Sequence, residues 1–308
     1  MSFKEIFIDP WDIHFAAYWP ILVMSFFVTA ACGLVGNYLV LRKISLVGDA
    51  ISHSVLPGIA IAYMIAGSRS DLPMFIGALI AGILTTLIIE LIHSRSKIKQ
   101  DAAIGITFTT MFAIGVILVS IYGADTDLDL DCVLFGKLDF IASKEKVFLG
   151  LPQIVLTMGI ILLAIFFLIV LFYKELLVSS FDPNFAATLG IKPRFVHYCL
   201  MCSLSVVVVS AFSSVGAILV IAMLILPAAT VYLLTDKLWL MMTLSVVHSF
   251  LSSMIGLHLT VALQVSTAPA CVVAGMSLFI TTWIISPKYG LLRHFSNSFD
   301  LSTFQKEN

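Results

Sequence analysis

The chain has 308 residues, of which 60% are hydrophobic and 11% are charged, and its mean hydropathy is +1.08. So few charges exclude a soluble globular domain, and the net charge of −1 gives no indication of a nucleic-acid partner. Apolar runs of about 20 residues recur along nearly the whole chain, which predicts an all-α fold, a polytopic bundle of about eight or nine transmembrane helices in a lipid bilayer.

Nine apolar segments follow one another and define the predicted membrane spans. They cover about 17–41, 46–67, 73–93, 102–123, 148–173, 195–213, 215–235, 238–262 and 267–286. The segments do not alternate polar and apolar residues, so the pattern excludes a membrane β-barrel. The sixth and seventh segments meet at Ser213-Ser214-Val215-Gly216, where we expect a tight turn.

The basic residues between the segments predict the orientation of the bundle. Five of the 17 Lys and Arg fall on one side, and all the others fall on the opposite side. The five are Lys4, Arg69, Lys137, Lys144 and Lys146. The richer side is therefore cytoplasmic. This orientation divides the chain into an extracytoplasmic segment over 1–16, a transmembrane domain over 17–290 and a cytoplasmic tail over 291–308.

The second segment carries two ionisable residues, Asp49 and His53, four positions apart. One helix face would hold both, and ionisable groups inside a membrane span indicate a functional site. A carboxylate and an imidazole can together bind a transition-metal ion. The alternative is structural, because Asp49 would also favour a helix N-terminus and His53 could be a packed polar group.

Two prolines lie near the middle of predicted spans. Pro57 follows His53 by four residues, so the carbonyl group of His53 loses its helical donor, and Gly58 loosens the backbone further. The freed carbonyl group could then act as a further metal ligand beside Asp49 and His53. Pro227 interrupts the seventh segment, where it would frame a pathway or form an ordinary kink. Glu90, near the cytoplasmic end of the third segment, is expected to reach water by snorkelling.

The loop after the fifth segment predicts a short helix over about 182–190. Asp182 is an N-cap residue, Pro183 suits the first helical position, and Gly190 ends the helix. So short a helix is not stable alone and must pack on something. Phe185 and Leu189, one turn apart, favour a docking element for a cytosolic protein. The alternative is a surface helix that rests on the bundle.

The chain contains neither a G-x-x-x-x-G-K phosphate loop nor an H-E-x-x-H zinc protease motif. If ATP drives a transport step, the ATPase is therefore another polypeptide.

Part of the second segment closely resembles the signature of the ABC-type manganese, zinc and iron permeases, the ABC-3 family. This part is Gly48-Asp49-Ala50-Ile51-Ser52-His53-Ser54-Val55-Leu56-Pro57-Gly58. Gln100-Asp101-Ala102-Ala103-Ile104-Gly105-Ile106 and Leu226-Pro227-Ala228-Ala229-Thr230 are also similar to this family. The 182–190 loop is similar to its coupling helix. The residues that would couple to an ATPase are then Asp182, Pro183, Phe185, Ala186, Ala187, Leu189 and Gly190.

The resemblance implies a membrane permease and not an enzyme. It implies a subunit of an importer in the bacterial cytoplasmic membrane, which works with cytosolic ABC ATPase subunits, an extracytoplasmic metal-binding protein and a second permease subunit in a homo- or heterodimer. Asp49 and His53 would belong to the metal path. The metal would be cargo and not a permanently bound cofactor, with manganese favoured and iron or zinc possible.

Two other classes of transporter stay open at this point. One is an ABC permease for a chelated metal or a cobalamin-like ligand, whose larger cavity would not need the ionisable pair Asp49 and His53. The other is a secondary transporter coupled to protons or sodium ions, which would need no ATPase.

Overall fold

The computed structural model describes residues 15–66, 71–122, 138–143, 146–148, 150–286 and 290. The predicted cytoplasmic tail over 291–308, and nearly all of the predicted extracytoplasmic segment over 1–16, lie outside these residues. The described α-helices are α1 (Phe15–Leu41), α2 (Val47–Ala66), α3 (Asp71–Arg95), α4 (Gln100–Tyr122), α5 (Gln153–Leu171), α6 (Tyr173–Phe181), α7 (Pro183–Thr188), α8 (Pro193–Tyr232), α9 (Leu238–Leu263) and α10 (Thr267–Ile285).

Short elements stand between α4 and α5. A 3₁₀ turn covers Leu138–Ser143, and the strands β1 (Lys146–Phe148) and β2 (Leu151–Pro152) pair antiparallel. Asp139 in the 3₁₀ turn accepts hydrogen bonds from the backbone N–H and the hydroxyl of Thr267, and it also accepts one from Ser266. These bonds attach the turn to the start of α10, where the carboxylate satisfies a free helical N–H.

Eight helices among the described residues are long and apolar enough to cross a membrane, which confirms the predicted all-α polytopic fold. The most buried of them is α1, which packs against α5, α8 and α9. Close approach makes this packing possible, because a Cβ atom at Gly36 would lie 1.9 Å from the carbonyl oxygen of Leu224 in α8.

The long helix α8 reverses direction near its middle. Gly216 has φ 79° and ψ 169°, a conformation that interrupts the helix.

Both ends of α8 can be placed by their contacts. Near the start of α8, His197 lies beside Arg42 at the end of α1. Past the end of α8, the Leu233 carbonyl accepts a hydrogen bond from the hydroxyl of Ser286, just after α10. Asn37 of α1 pairs with Ser245 of α9, so the beginning of α9 is level with the end of α1. Both ends of α8 therefore lie on the side that the basic residues predict to be cytoplasmic.

The two halves of α8 correspond to the sixth and seventh predicted segments, which the structure joins at the predicted turn. The second half, Ile218–Tyr232, is shorter than the span predicted over 215–235 and shorter than the roughly 20 residues needed to cross a bilayer. Its side chains Leu219, Val220 and Met223 are fully buried in protein. Contacts with neighbouring helices, and not the thickness of the lipid, therefore determine the length of this half.

The helix α6 was not predicted, because residues 174–181 follow the fifth predicted segment and were expected to form a loop before α7. It carries polar residues such as Lys174 and Glu175, so it lacks the hydrophobicity of a span. It buries Leu176 and Ser179 against the bundle, and this packing accounts for the helix.

Candidate functional site

Over residues 47–60 the helix α2 presents one half-exposed stripe while its other residues are buried, and its last six residues, 61–66, are half-exposed or exposed. Asp49, His53, Leu56 and Ile59 form this stripe, and their spacing of three or four residues places them on one face of the helix. In a span, such a face meets lipid or another protein. A carboxylate in this position favours protein, because ionisable groups in membrane spans almost always face a protein interior or a wet cavity.

The structure brings the two predicted ligands together. The Nε2 atom of His53 lies 3.4 Å from Oδ1 of Asp49, one turn apart, and the side chains are 31% and 40% exposed. Among the described residues, no group of three or more His, Cys, Asp and Glu side chains could hold a metal ion. The described part of the chain therefore offers a two-ligand site at α2.

Two aromatic rings of α4 pack against the imidazole of His53. The ring centroids of His53 and Phe108 are 5.2 Å apart, and those of His53 and Phe112 are 5.7 Å apart with the planes at 87°. Such contacts restrict the orientation of the imidazole while Nε2 faces Asp49. The sequence shows both phenylalanines, but it carries no signal that pairs them with a residue of another helix.

The helix α4 extends past the Asp49–His53 pair on its cytoplasmic side. A Cβ atom at Gly115 of α4 would be 2.9 Å from Pro57, so these two residues are level. Measured from this level, α4 extends about five residues, or roughly 8 Å, further toward the cytoplasm than α2 does. Asp49 lies in the first turn of α2, so α4 continues past it on the cytoplasmic side.

Pro57 and Gly58 lie inside one continuous helix, because α2 runs from Val47 to Ala66. Both are sites of close packing. The proline meets Gly115 of α4, and a Cβ atom at Gly58 would lie 2.2 Å from the carbonyl oxygen of Gly77 in α3. Pro227, in the second half of α8, lies against Gly33 of α1, where a Cβ atom would be 3.2 Å away. The role of these residues along a pathway stays a prediction.

The cytoplasmic loop forms the predicted short helix, α7. The Asp182 carboxylate accepts hydrogen bonds from the N–H groups of Asn184 and Phe185 at 3.0 and 2.9 Å, as an N-cap does. Gly190 has φ 81°, and the N–H of Ile191 reaches back to the Ala186 carbonyl at 3.1 Å. These are the features of a glycine-terminated helix.

One side of α7 is anchored and the other is free. Ala186 is fully buried, whereas Phe185 and Leu189 are 54% and 56% exposed. The exposed apolar side chains of α7 therefore face away from the bundle, and the predicted docking of a cytosolic protein on them stays a prediction. Pro183 occupies the first position of the helix, as predicted, and Ala187 lies beside the buried Ala186.

The arrangement of spans, an acid–histidine pair and a capped cytoplasmic helix agrees with the resemblance noted in the sequence. Residues 15–286 match the ABC 3 transport family, ABC-3. The chain belongs to this family. As an ABC-3 member with eight long apolar helices, it is a permease and a multi-pass protein of the bacterial inner membrane.

Individual ABC-3 proteins are similar over most of their length. The chain is 40% identical over 275 residues to the Manganese transport system membrane protein MntD of Bacillus subtilis (strain 168), covering 88% of this chain and 93% of MntD. It is 42% identical over 275 residues to the Zinc transport system membrane protein TroD of Treponema pallidum (strain Nichols), covering 89% of this chain and 75% of TroD.

A solved structure shares the fold. The chain superposes on PsaBC from Streptococcus pneumoniae in complex with Fab with a TM-score of 0.77 and 36% identity, covering 95% of this chain and 99% of that one. The ABC-3 membership predicted from the Gly48–Gly58 motif is therefore confirmed. The roles of Asp49, His53 and the 182–190 loop stay predictions.

Proposed function

We propose that this chain is the permease subunit of an ATP-driven importer for a divalent transition-metal ion, with manganese favoured over iron and zinc. The observation that carries the proposal is the pair Asp49 and His53, 3.4 Å apart on the half-exposed stripe of a membrane span. The relatives support the class of cargo, since their names include manganese and zinc transport systems.

The chemistry of the pair suits a bare metal ion. A carboxylate oxygen and an imidazole nitrogen can replace part of the hydration shell of the ion. Both are ligands that bind Mn²⁺, Fe²⁺ and Zn²⁺. The ion is cargo, so the two ligands hold it only in passing. Two donors leave several coordination positions open, and we propose that the same pair of a second permease subunit fills some of them.

The energy comes from another polypeptide. We propose that cytosolic ABC ATPase subunits dock on α7, where Phe185 and Leu189 are exposed and Ala186 anchors the helix. An extracytoplasmic metal-binding protein would deliver the ion to the opposite side. Closure of the ATPases on ATP would move α7, and the bundle would then open the path from Asp49 and His53 toward the cytoplasm.

The test is uptake of radioactive ⁵⁴Mn²⁺ into vesicles that contain the complete transporter with its ATPase and binding protein. Asp49→Ala and His53→Ala should each abolish ATP-driven uptake while the protein reaches the membrane at the wild-type level. Asp101→Ala serves as the control, because Asp101 is an exposed carboxylate in the first turn of α4. Normal uptake in both site variants would overturn the assignment of the site.

The energy source separates the proposal from a secondary transporter. Uptake by the wild-type complex should require ATP and persist when proton and sodium gradients are dissipated. Uptake that follows an ion gradient and ignores ATP would contradict an ABC importer.

A further inference from the structure

A polar network lies next to the coupling helix α7 and is separate from the Asp49–His53 pair. Its centre is Arg42, the half-buried residue that follows α1. Its Nε atom donates to the Ser180 hydroxyl at 3.1 Å, and Nη2 donates to the Ser179 hydroxyl at 2.8 Å. Its Nη1 atom lies 3.3 Å from Nδ1 of His197. The planar guanidinium thus uses its three nitrogens to contact side chains of two different helices, α6 and α8.

The network continues from His197 to a third helix. A guanidinium only donates hydrogen bonds, so Nδ1 of His197 accepts from Arg42. The proton of the neutral ring is then on Nε2, which lies 3.2 Å from Oε2 of Glu90 in α3. A directional chain of hydrogen bonds therefore joins α6, Arg42, α8 and α3. The Glu90 carboxylate, which was expected to snorkel, is 24% exposed and is also a partner of His197.

The α6 end of the network adjoins the coupling helix. Ser179 and Ser180 lie in the last turn of α6, and Asp182 follows as the N-cap of α7. The Asp182 N–H donates to the Val178 carbonyl at 3.0 Å, so the helical hydrogen bonding continues to the cap. A displacement of α7 therefore acts directly on the two serines that Arg42 holds.

The backbone of Arg42 leads to the Asp49–His53 pair through a short, hydrogen-bonded turn. Lys43 takes the left-handed conformation with φ 59°, and the Ile44 N–H returns to the Leu39 carbonyl at 2.9 Å. The Val47 N–H then donates to the Ile44 carbonyl at 3.2 Å. Ile44 is buried, which fixes this turn against the core. A hydrogen-bonded turn therefore connects Arg42 directly to the first turn of α2, which carries Asp49.

We propose that Arg42 is a positioning residue that transmits the movement of the coupling helix α7 to α2, and so ties ATP use to the state of the Asp49–His53 pair. The inference rests on the proposed function, because it assigns α7 to the ATPase and the pair to the metal. In this arrangement Arg42 touches neither the ion nor the nucleotide. Its removal should separate ATP hydrolysis from transport and leave each partner's binding intact.

The test measures the number of ⁵⁴Mn²⁺ ions imported per ATP hydrolysed by the complete transporter in vesicles. Arg42→Gln should lower this ratio roughly tenfold, as expected for the loss of a charge-assisted, multidentate contact. Binding of Mn²⁺ to the purified complex, measured by equilibrium dialysis, should stay at the wild-type level. Arg194→Gln is the matched control, because Arg194 is an exposed arginine at the same end of α8.

Two further variants keep the test decisive if Arg42→Gln fails to assemble. The double variant Ser179→Ala and Ser180→Ala removes only the α6 acceptors and should lower the ratio in the same direction. Arg42→Lys keeps the charge but has one nitrogen for three partners, so it should recover part of the ratio.

The outcomes also separate this inference from the proposed function. If the wild-type complex does not import Mn²⁺ with ATP, the proposed function itself fails. If it does, and the Arg42 and serine variants lower uptake and ATP hydrolysis in equal proportion, the role in coupling is overturned. Loss of Mn²⁺ binding in Arg42→Gln would also overturn it, because Arg42 would then shape the metal pair directly.

Discussion

The imidazole of His53 is held by two aromatic rings of α4 in addition to its contact with Asp49. Phe108 and Phe112 of α4 pack on it from two directions while its Nε2 atom faces Asp49. A ligand with a fixed orientation loses less conformational freedom when a metal binds. The two phenylalanines therefore belong to the candidate site although neither can bind a metal.

Phe108→Leu should weaken Mn²⁺ binding while leaving the ligands themselves in place. The loss of a ring contact worth about 0.5–1.5 kcal/mol corresponds to a dissociation constant raised roughly 2–10-fold. Equilibrium dialysis of Mn²⁺ against the purified complex measures this change. Phe167→Leu is the control, because Phe167 is 67% exposed on α5 and has no described ring contact. An unchanged dissociation constant in Phe108→Leu would contradict the positioning role.

Contacts within one helix could be predicted from local spacing, whereas contacts between helices could not. Asp49 and His53 share a helix, so their separation of four residues placed them on one face before any fold was known. The contacts of Arg42 with His197, and of His53 with Phe108, join different helices. A single sequence fixes the register within a helix but not the register between helices, so these contacts could not be derived from it.

At the scale of elements, α2 packs closely on its neighbours because glycines stand at the points of contact. Gly58 and Gly77 let the backbones of α2 and α3 touch, and Gly115 receives the ring of Pro57 from α2. Small residues at crossing points are the usual means by which membrane helices approach closely. The residues that the sequence suggested as a break in the second segment thus hold three helices together.

Gly58→Ala should destabilise the transporter. Its Cβ atom would lie 2.2 Å from the Gly77 carbonyl oxygen and 2.6 Å from the Ala81 Cβ atom, so the backbones of α2 and α3 must separate. Overpacking of this kind costs about 1–3 kcal/mol. Thermal unfolding of the purified complex should therefore begin several degrees lower, roughly in proportion to that cost.

Gly105→Ala tests whether the effect belongs to the site and not to the substitution. Gly105 is also helical, but a Cβ atom there would have no atom within 4 Å. The alanine should be neutral or stabilise α4 by up to about 1 kcal/mol. Equal melting temperatures for the two alanine variants would show that α2 and α3 do not meet as described.

Element boundaries were predictable where the chain carries its own end signals. Asp182 and Gly190 bound α7 by a cap and a left-handed residue, which act within one turn. The helix α6 carries no such signal at its start, and the short second half of α8 carries none at its end. Both depend on burial against other helices, such as that of Leu176 and Leu219, which becomes visible only in the folded bundle.

At the scale of the whole molecule, the stripe of α2 stays part-exposed in a single chain. Asp49 and His53 are part-exposed in a membrane span, where exposure to lipid is costly. The described residues supply only two metal-ligating side chains at this place. A second permease subunit that packs on the stripe would remove the exposure and supply a further pair, so the two requirements have one solution.

The purified transporter should therefore bind one Mn²⁺ ion for every two permease chains. Two Asp–His pairs that share an ion give a fuller shell of oxygen and nitrogen ligands than one pair can. Equilibrium dialysis with ⁵⁴Mn²⁺, combined with the protein concentration, gives this ratio directly. The Asp49→Ala complex corrects for ions that bind elsewhere. A corrected ratio of one ion per chain would mean that each α2 holds its own ion, and that the second subunit covers the stripe without sharing the metal.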